Sequence, residues 1–98
     1  MIVVAGYKDR ITVKGHANYA EPGKDIVCAS VSILTQTLIK SIEDLTTDKI
    51  HYGISPGLVD INFKTLSNET KTLIKSFFVG VKAIAETYPQ NVKVILEM

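Results

Sequence analysis

The stretch that decides the fold is Asp25–Leu45, DIVCASVSILTQTLIKSIEDL. Val27, Val31, Leu34, Leu38, Ile42 and Leu45 recur at the three- and four-residue spacing of one helix face, so they form its buried stripe. Asp25 stands where an N-cap belongs, because its carboxylate can accept from the free N–H groups of the first turn. Thr46-Thr47-Asp48 ends the helix weakly.

Working outward, the flanking segments are β-hairpins. Upstream, Ile2-Val3-Val4-Ala5 reads as a strand and Gly6–Asp9 as a turn. Arg10–His16 then alternates, with Ile11 and Val13 on one face and Thr12, Lys14 and His16 on the other. Residues 17–24 contain Pro22-Gly23 and no periodicity, which predicts a loop. Downstream, Ile50, Tyr52 and Ile54 alternate with polar or small neighbours, Ser55-Pro56-Gly57 turns, and Val59, Ile61 and Phe63 form the return strand.

A second helix follows, capped by Ser67, with Glu69 favoured by the dipole in its first turn and Leu73, Ile74, Phe77, Phe78, Val81, Ile84 and Ala85 inside. Tyr88-Pro89 stops it, and Val92, Val94 and Leu96 mark a last strand. The order β-β-α-β-β-α-β, with each strand after the first apolar on one face only, predicts an α+β two-layer sandwich. Its sheet is five-stranded, mostly antiparallel and covered by two helices. The strand order is not set by this pattern. No linker or low-complexity segment divides residues 1–98, so one domain is expected.

The composition narrows the function. Apolar residues make up 46% and charged residues 21%, a globular mix, and the net charge is +1 with the eleven Lys and Arg scattered along the chain. Nothing in that distribution nominates a nucleic acid or an anionic membrane as partner. The single cysteine excludes an intramolecular disulfide and argues against a cysteine-built zinc site. No run approaches 18 apolar residues, so no membrane span is expected. The N-terminus MIVVAGYKDR lacks the build of a signal peptide. These features together predict a cytoplasmic protein.

Phosphate-loop, dinucleotide, His-Glu-x-x-His and Gly-x-Ser-x-Gly signatures are absent, and no cofactor or metal is implied. What remains is Cys28, about one turn into the first helix. Free N–H groups and the dipole at that end stabilise a thiolate, the form of cysteine that attacks. Cys28 also lies off the centre of the apolar stripe, on the side of Ser32 and Gln36. The competing reading is an inert, buried cysteine that packs as a small hydrophobe.

His16 sits at a strand end with only the loop between it and that helix, and such neighbours in sequence are neighbours in space. An imidazole that takes the thiol proton and returns it to a leaving amine completes the minimum set for acyl transfer. His51, mid-strand and remote in sequence, is the weaker candidate base. Asp25 has two readings, a helix cap or a group that orients His16. Backbone N–H groups at the helix start are candidate oxyanion donors. Ser32 lies one turn beyond Cys28 and can also bond back to its own helix. The loop borders any cleft between them. Gly15 just before it and Gly23 near its end suit a hinge, and Tyr19, its one large side chain, can fold over an apolar substrate residue.

Gly15-His16-Ala17, followed by Gly23-x-Asp25-Ile26-Val27-Cys28-Ala29-x-x-Ser32, resembles the ribosomal-processing cysteine protease family, Prp. The resemblance extends over the whole chain, in length and in element order. It implies a cysteine endopeptidase that removes an N-terminal extension from a bacterial large-subunit ribosomal protein, works as a homodimer and needs no cofactor. It implies His16 and Cys28 as the catalytic pair, with Asp25 and Ser32 in the same site. The alternative class is a non-enzymatic, ribosome-associated binding module with Cys28 in its core; a thiol-dependent transferase is a third, for which no cofactor motif is visible.

Overall fold

A computed structural model describes all of residues 1–98. The elements are β1 (Ile2–Tyr7), β2 (Arg10–Lys14), α1 (Ile26–Leu45), β3 (His51–Ser55), β4 (Leu58–Asn62), α2 (Asn68–Thr87) and β5 (Val92–Glu97). The expected order holds, and the sheet runs β3-β4-β2-β1-β5. Three of its pairings are antiparallel and one, β1 with β5, is parallel. That parallel pair follows from α2, which carries the chain back across the sheet face to lay β5 beside β1.

Both helix starts fall where the sequence places them. Asp25 caps α1 and Ser67 caps α2, the latter accepting from the Thr70 N–H at 3.3 Å. The core lies between helices and sheet: Val27, Val31, Leu38, Ile39 and Ile42 of α1 and Ile74, Phe77, Phe78 and Val81 of α2 meet Val4, Ile11, Ile61 and Val92. Ile42 and Ile61 are fully enclosed, and truncating either to Ala costs about 2–5 kcal/mol.

The stripe of α1 differs in detail from the sequence reading. Leu45 is exposed and Leu34 half-buried, while Thr35 and Ile39 are buried. Thr35 tolerates this because its hydroxyl donates to the Val31 carbonyl at 2.8 Å. The 20-residue α1 has a mean hydropathy of 1.3 over 18 residues, a length and apolarity that membrane spans and core helices share. Here it serves as a core helix, with its apolar face against the sheet.

β3 departs furthest from its predicted role. Its alternation suggests one buried face, yet every residue of it is exposed. β3 is the outermost strand, and two helices do not reach across five strands, so Tyr52 and Ile54 stay in the open.

Candidate active site

β2 ends at Lys14, two residues short of His16. Gly15 turns the chain with φ +97°, and its N–H donates to the Gly57 carbonyl at 2.9 Å. A Cβ at position 15 would run into the Met1 carbonyl oxygen, so only glycine fits. His16 therefore lies just beyond the strand, against the β3–β4 turn. Gly57, at φ +70°, is so close that a Cβ there would stand 2.9 Å from His16 Nε2.

The structure brings His16, Cys28 and Ser32 together. All three line a cleft of about 240 Å³ between α1 and the β3–β4 hairpin, walled also by Val13, Ile54 and Leu58. The same three line a more open groove of about 660 Å³ that runs past Asn18, Gly23, Asp25 and Ile26. Cys28 is half-buried, its flank against the core and its sulfur accepting from the Ala17 N–H at 3.3 Å. Ser32 is exposed to the cleft, whereas the nearby Ser30 hydroxyl bonds back to the Ile26 carbonyl at 2.6 Å.

His51 is left out. It pairs with Asn62 at one end of the hairpin, whereas the site lies at the other end, where Ser55 pairs with Leu58 and Leu58 with Lys14.

Asp25 serves four donors at once. Its Oδ1 accepts from the Val27 and Cys28 N–H groups at 3.0 and 2.9 Å, and its Oδ2 from the Tyr19 and Ala20 N–H groups at 2.9 and 3.3 Å. The Cys28 N–H foremost, then the other three, hold its pKa below the ordinary 3.8, against the opposing effect of desolvation. With both oxygens engaged this way, Asp25 ties the loop to the helix start and makes no bond to His16. Three of the first-turn N–H groups expected as oxyanion donors are also consumed: those of Val27 and Cys28 by this carboxylate and that of Ala29 by the Asp25 carbonyl.

The loop is better anchored than its composition suggests. Ala17 is buried, and its carbonyl accepts from Asn91 Nδ2 at 2.9 Å. The Tyr19 ring meets Tyr88 edge-on at 5.2 Å, at the end of α2. Sequence reasoning missed Gly57 and Asn91. Pro56-Gly57 signalled a turn but not its neighbour, and nothing local marks an asparagine whose partner lies 74 residues away.

A free thiol at a helix start and an imidazole lining one cleft, on this two-layer α/β frame, make up the side-chain set of the thiol peptidases. Comparison with known proteins gives the same class: the family model for cysteine protease Prp matches residues 2–93. The chain belongs to that family, which makes it a cysteine peptidase rather than a binding module.

Among curated relatives, the ribosomal processing cysteine protease Prp of Mycoplasma genitalium is 33% identical over 95 residues, covering 94% of this chain and 92% of that protein. The protein of the same name from Staphylococcus aureus is 29% identical over 86 residues, covering 85% and 81%. The fold matches the crystal structure of S. aureus Prp with a covalently linked product peptide at TM-score 0.91 and 24% identity, over 99% of this chain and all of that one. It matches the same enzyme with a substrate peptide at TM-score 0.81 and 21% identity, over 98% and 97%.

Proposed function

We propose that this chain is a one-domain cytoplasmic endopeptidase that removes the N-terminal extension of a large-subunit ribosomal protein, with Cys28 as nucleophile and His16 as base. The observation that carries the reading is the shared cleft: the thiol and the imidazole line the same two hollows, and Ser32 lines both as well. The names of the curated relatives supply the ribosomal substrate.

In the proposed reaction His16 takes the thiol proton and the Cys28 sulfur bonds to the scissile carbonyl carbon, whose oxygen takes up the negative charge. Collapse breaks the C–N bond, and the leaving amine receives the proton from the imidazolium. Water then attacks the thioester, His16 takes its proton, and the released thiolate recovers one as the new carboxylate departs. The apolar wall formed by Val13, Ile54 and Leu58 suits an apolar or aromatic residue beside the cut. Asp25 supports the site by holding loop and helix start together.

A homodimer belongs to the same reading. Ile26 and Ile33 are 55% and 61% exposed, apolar surface that a second copy can cover. Light scattering at micromolar concentration should return twice the monomer mass. Incubation with the extended N-terminal peptide of the ribosomal protein, read by mass spectrometry, should yield one cut that removes the extension; an intact peptide would refute the assignment of substrate.

A further inference from the structure

We infer that Asn91 is a positioning residue for the site: its side-chain amide fixes Ala17 so that the Ala17 N–H stays aimed at the Cys28 sulfur. The inference rests on the proposed role of Cys28.

Three observations carry it. The Asn91 Nδ2 donates to the Ala17 carbonyl at 2.9 Å, and the Ala17 N–H donates to Cys28 Sγ at 3.3 Å, so a single buried residue links the two. The next residue, Asn18, holds φ 55°, the only positive φ outside glycine, a conformation that persists where its surroundings enforce it. Asn91 clamps the chain on one side of Asn18, and Asp25 clamps Tyr19 and Ala20 on the other. Finally, the backbone of Asn91 is held without its side chain: its N–H donates to the Tyr88 carbonyl at 2.9 Å and its carbonyl accepts from the Ile2 N–H at 2.8 Å. The side chain is thus presented from a fixed base, and its amide is spent on Ala17.

The chemistry follows. With the N–H groups of Val27, Cys28 and Ala29 consumed, the Ala17 N–H is the backbone donor aimed at the sulfur. That bond holds the sulfur beside the loop that carries His16. A donor fixed 3.3 Å from the attacking sulfur can turn to the carbonyl oxygen as that oxygen gains charge. His16 precedes Ala17 directly, so the same anchor limits how far the imidazole can drift.

The test compares Asn91→Ala with Thr70→Ala in the full chain. Thr70 is fully buried, bonds the Thr46 hydroxyl at 3.4 Å, sits outside the site, and serves as a destabilised control. For Asn91→Ala, kcat on the extended peptide should fall roughly tenfold to a hundredfold with KM within about twofold, since misplacement of the reacting groups is what is lost. Alkylation of Cys28 by iodoacetamide at pH 7 should slow several-fold. Thr70→Ala should lower Tm and move neither. Should Asn91→Ala fail to fold, Asn91→Asp is read in its place, being of the same shape and without a donor when ionised. Unchanged kcat and alkylation in the folded variant, with only Tm reduced, would overturn the inference. The alkylation arm reads the Ala17–Cys28 contact whatever Cys28 does, whereas cleavage surviving in Cys28→Ala would sink the functional reading alone.

Discussion

The two helices begin alike and do different things. Each is 20 residues long and each starts at an oxygen-bearing side chain that accepts from its first turn. At α2, Ser67 stands in a small polar cluster: its N–H and hydroxyl both donate to Asp48 Oδ2, at 2.9 and 2.7 Å, and Thr70 reaches across to Thr46. That cluster joins the two ends of the β3–β4 excursion, and none of its residues lines the cleft of Cys28 and His16. At α1, Asp25 divides its two oxygens between the helix and the loop, and the loop brings the Ala17 N–H to Cys28 with His16 lining the same cleft. A cap is a local device. What makes one of them part of a site is the segment that the second oxygen holds.

Breaking the caps separately should expose the difference. Asp25→Ala releases the helix start and the loop together, so peptide cleavage should fall by roughly tenfold or more, and Tm should drop. Ser67→Ala should lower Tm while cleavage stays within about twofold, since only the cap is lost. Equal losses of cleavage in the two variants would erase the distinction. A steady-state assay alongside a thermal melt reads both.

A smaller effect sharpens the α1 side. Gly57→Ala places a methyl group against His16 Nε2 and asks alanine to hold a positive φ. Its kcat should fall several-fold, with folding judged by circular dichroism. An unchanged kcat would mean that the imidazole does not need that turn as its wall.

The smallest effect is shared by both ends and depends on pH. Asp25 and Asp48 are both held below the ordinary carboxylate value of 3.8, Asp25 foremost by the Cys28 N–H and Asp48 foremost by the hydroxyls of Thr70 and Ser67. A pKa lowered on folding adds stability that is complete above the unfolded value and disappears as pH falls through the folded one. Tm should therefore be flat in these groups from pH 6 to 8 and decline below about pH 4. Asp48→Asn should shrink that decline with cleavage at neutral pH unchanged. A decline of wild-type size in Asp48→Asn would remove Asp48 from the account.

The helices and both hairpins were legible because their signals are local: the spacing from Val27 to Ile42, the caps at Asp25 and Ser67, and the turn at Pro56-Gly57 lie within a few residues of what they determine. Cys28 and His16 were legible for the same reason, through their place at a helix start and beside a strand end. The placing of β5 beside β1 was not, since Ile2 meets Val92 only through the packing of α2. The exposure of β3 was missed because alternation reports a strand's two faces and says nothing of whether a helix reaches it. The double use of Asp25 was hidden, since one carboxylate's second oxygen leaves no mark in sequence. Asn91 was hidden more deeply, its partner being a backbone carbonyl at the other end of the chain.

The central claim is that Cys28 and His16 act on the peptide as nucleophile and base, and the direct measurement is cleavage of the extended N-terminal peptide by the wild-type protein, Cys28→Ser and His16→Ala, followed by mass spectrometry with each variant shown folded by its melt. Both side chains border an open cleft and neither is in the buried core, so both variants should melt near the wild-type temperature. The account predicts one cut by the wild type and none by either variant. Cleavage at a comparable rate by a folded Cys28→Ser or His16→Ala protein would contradict it.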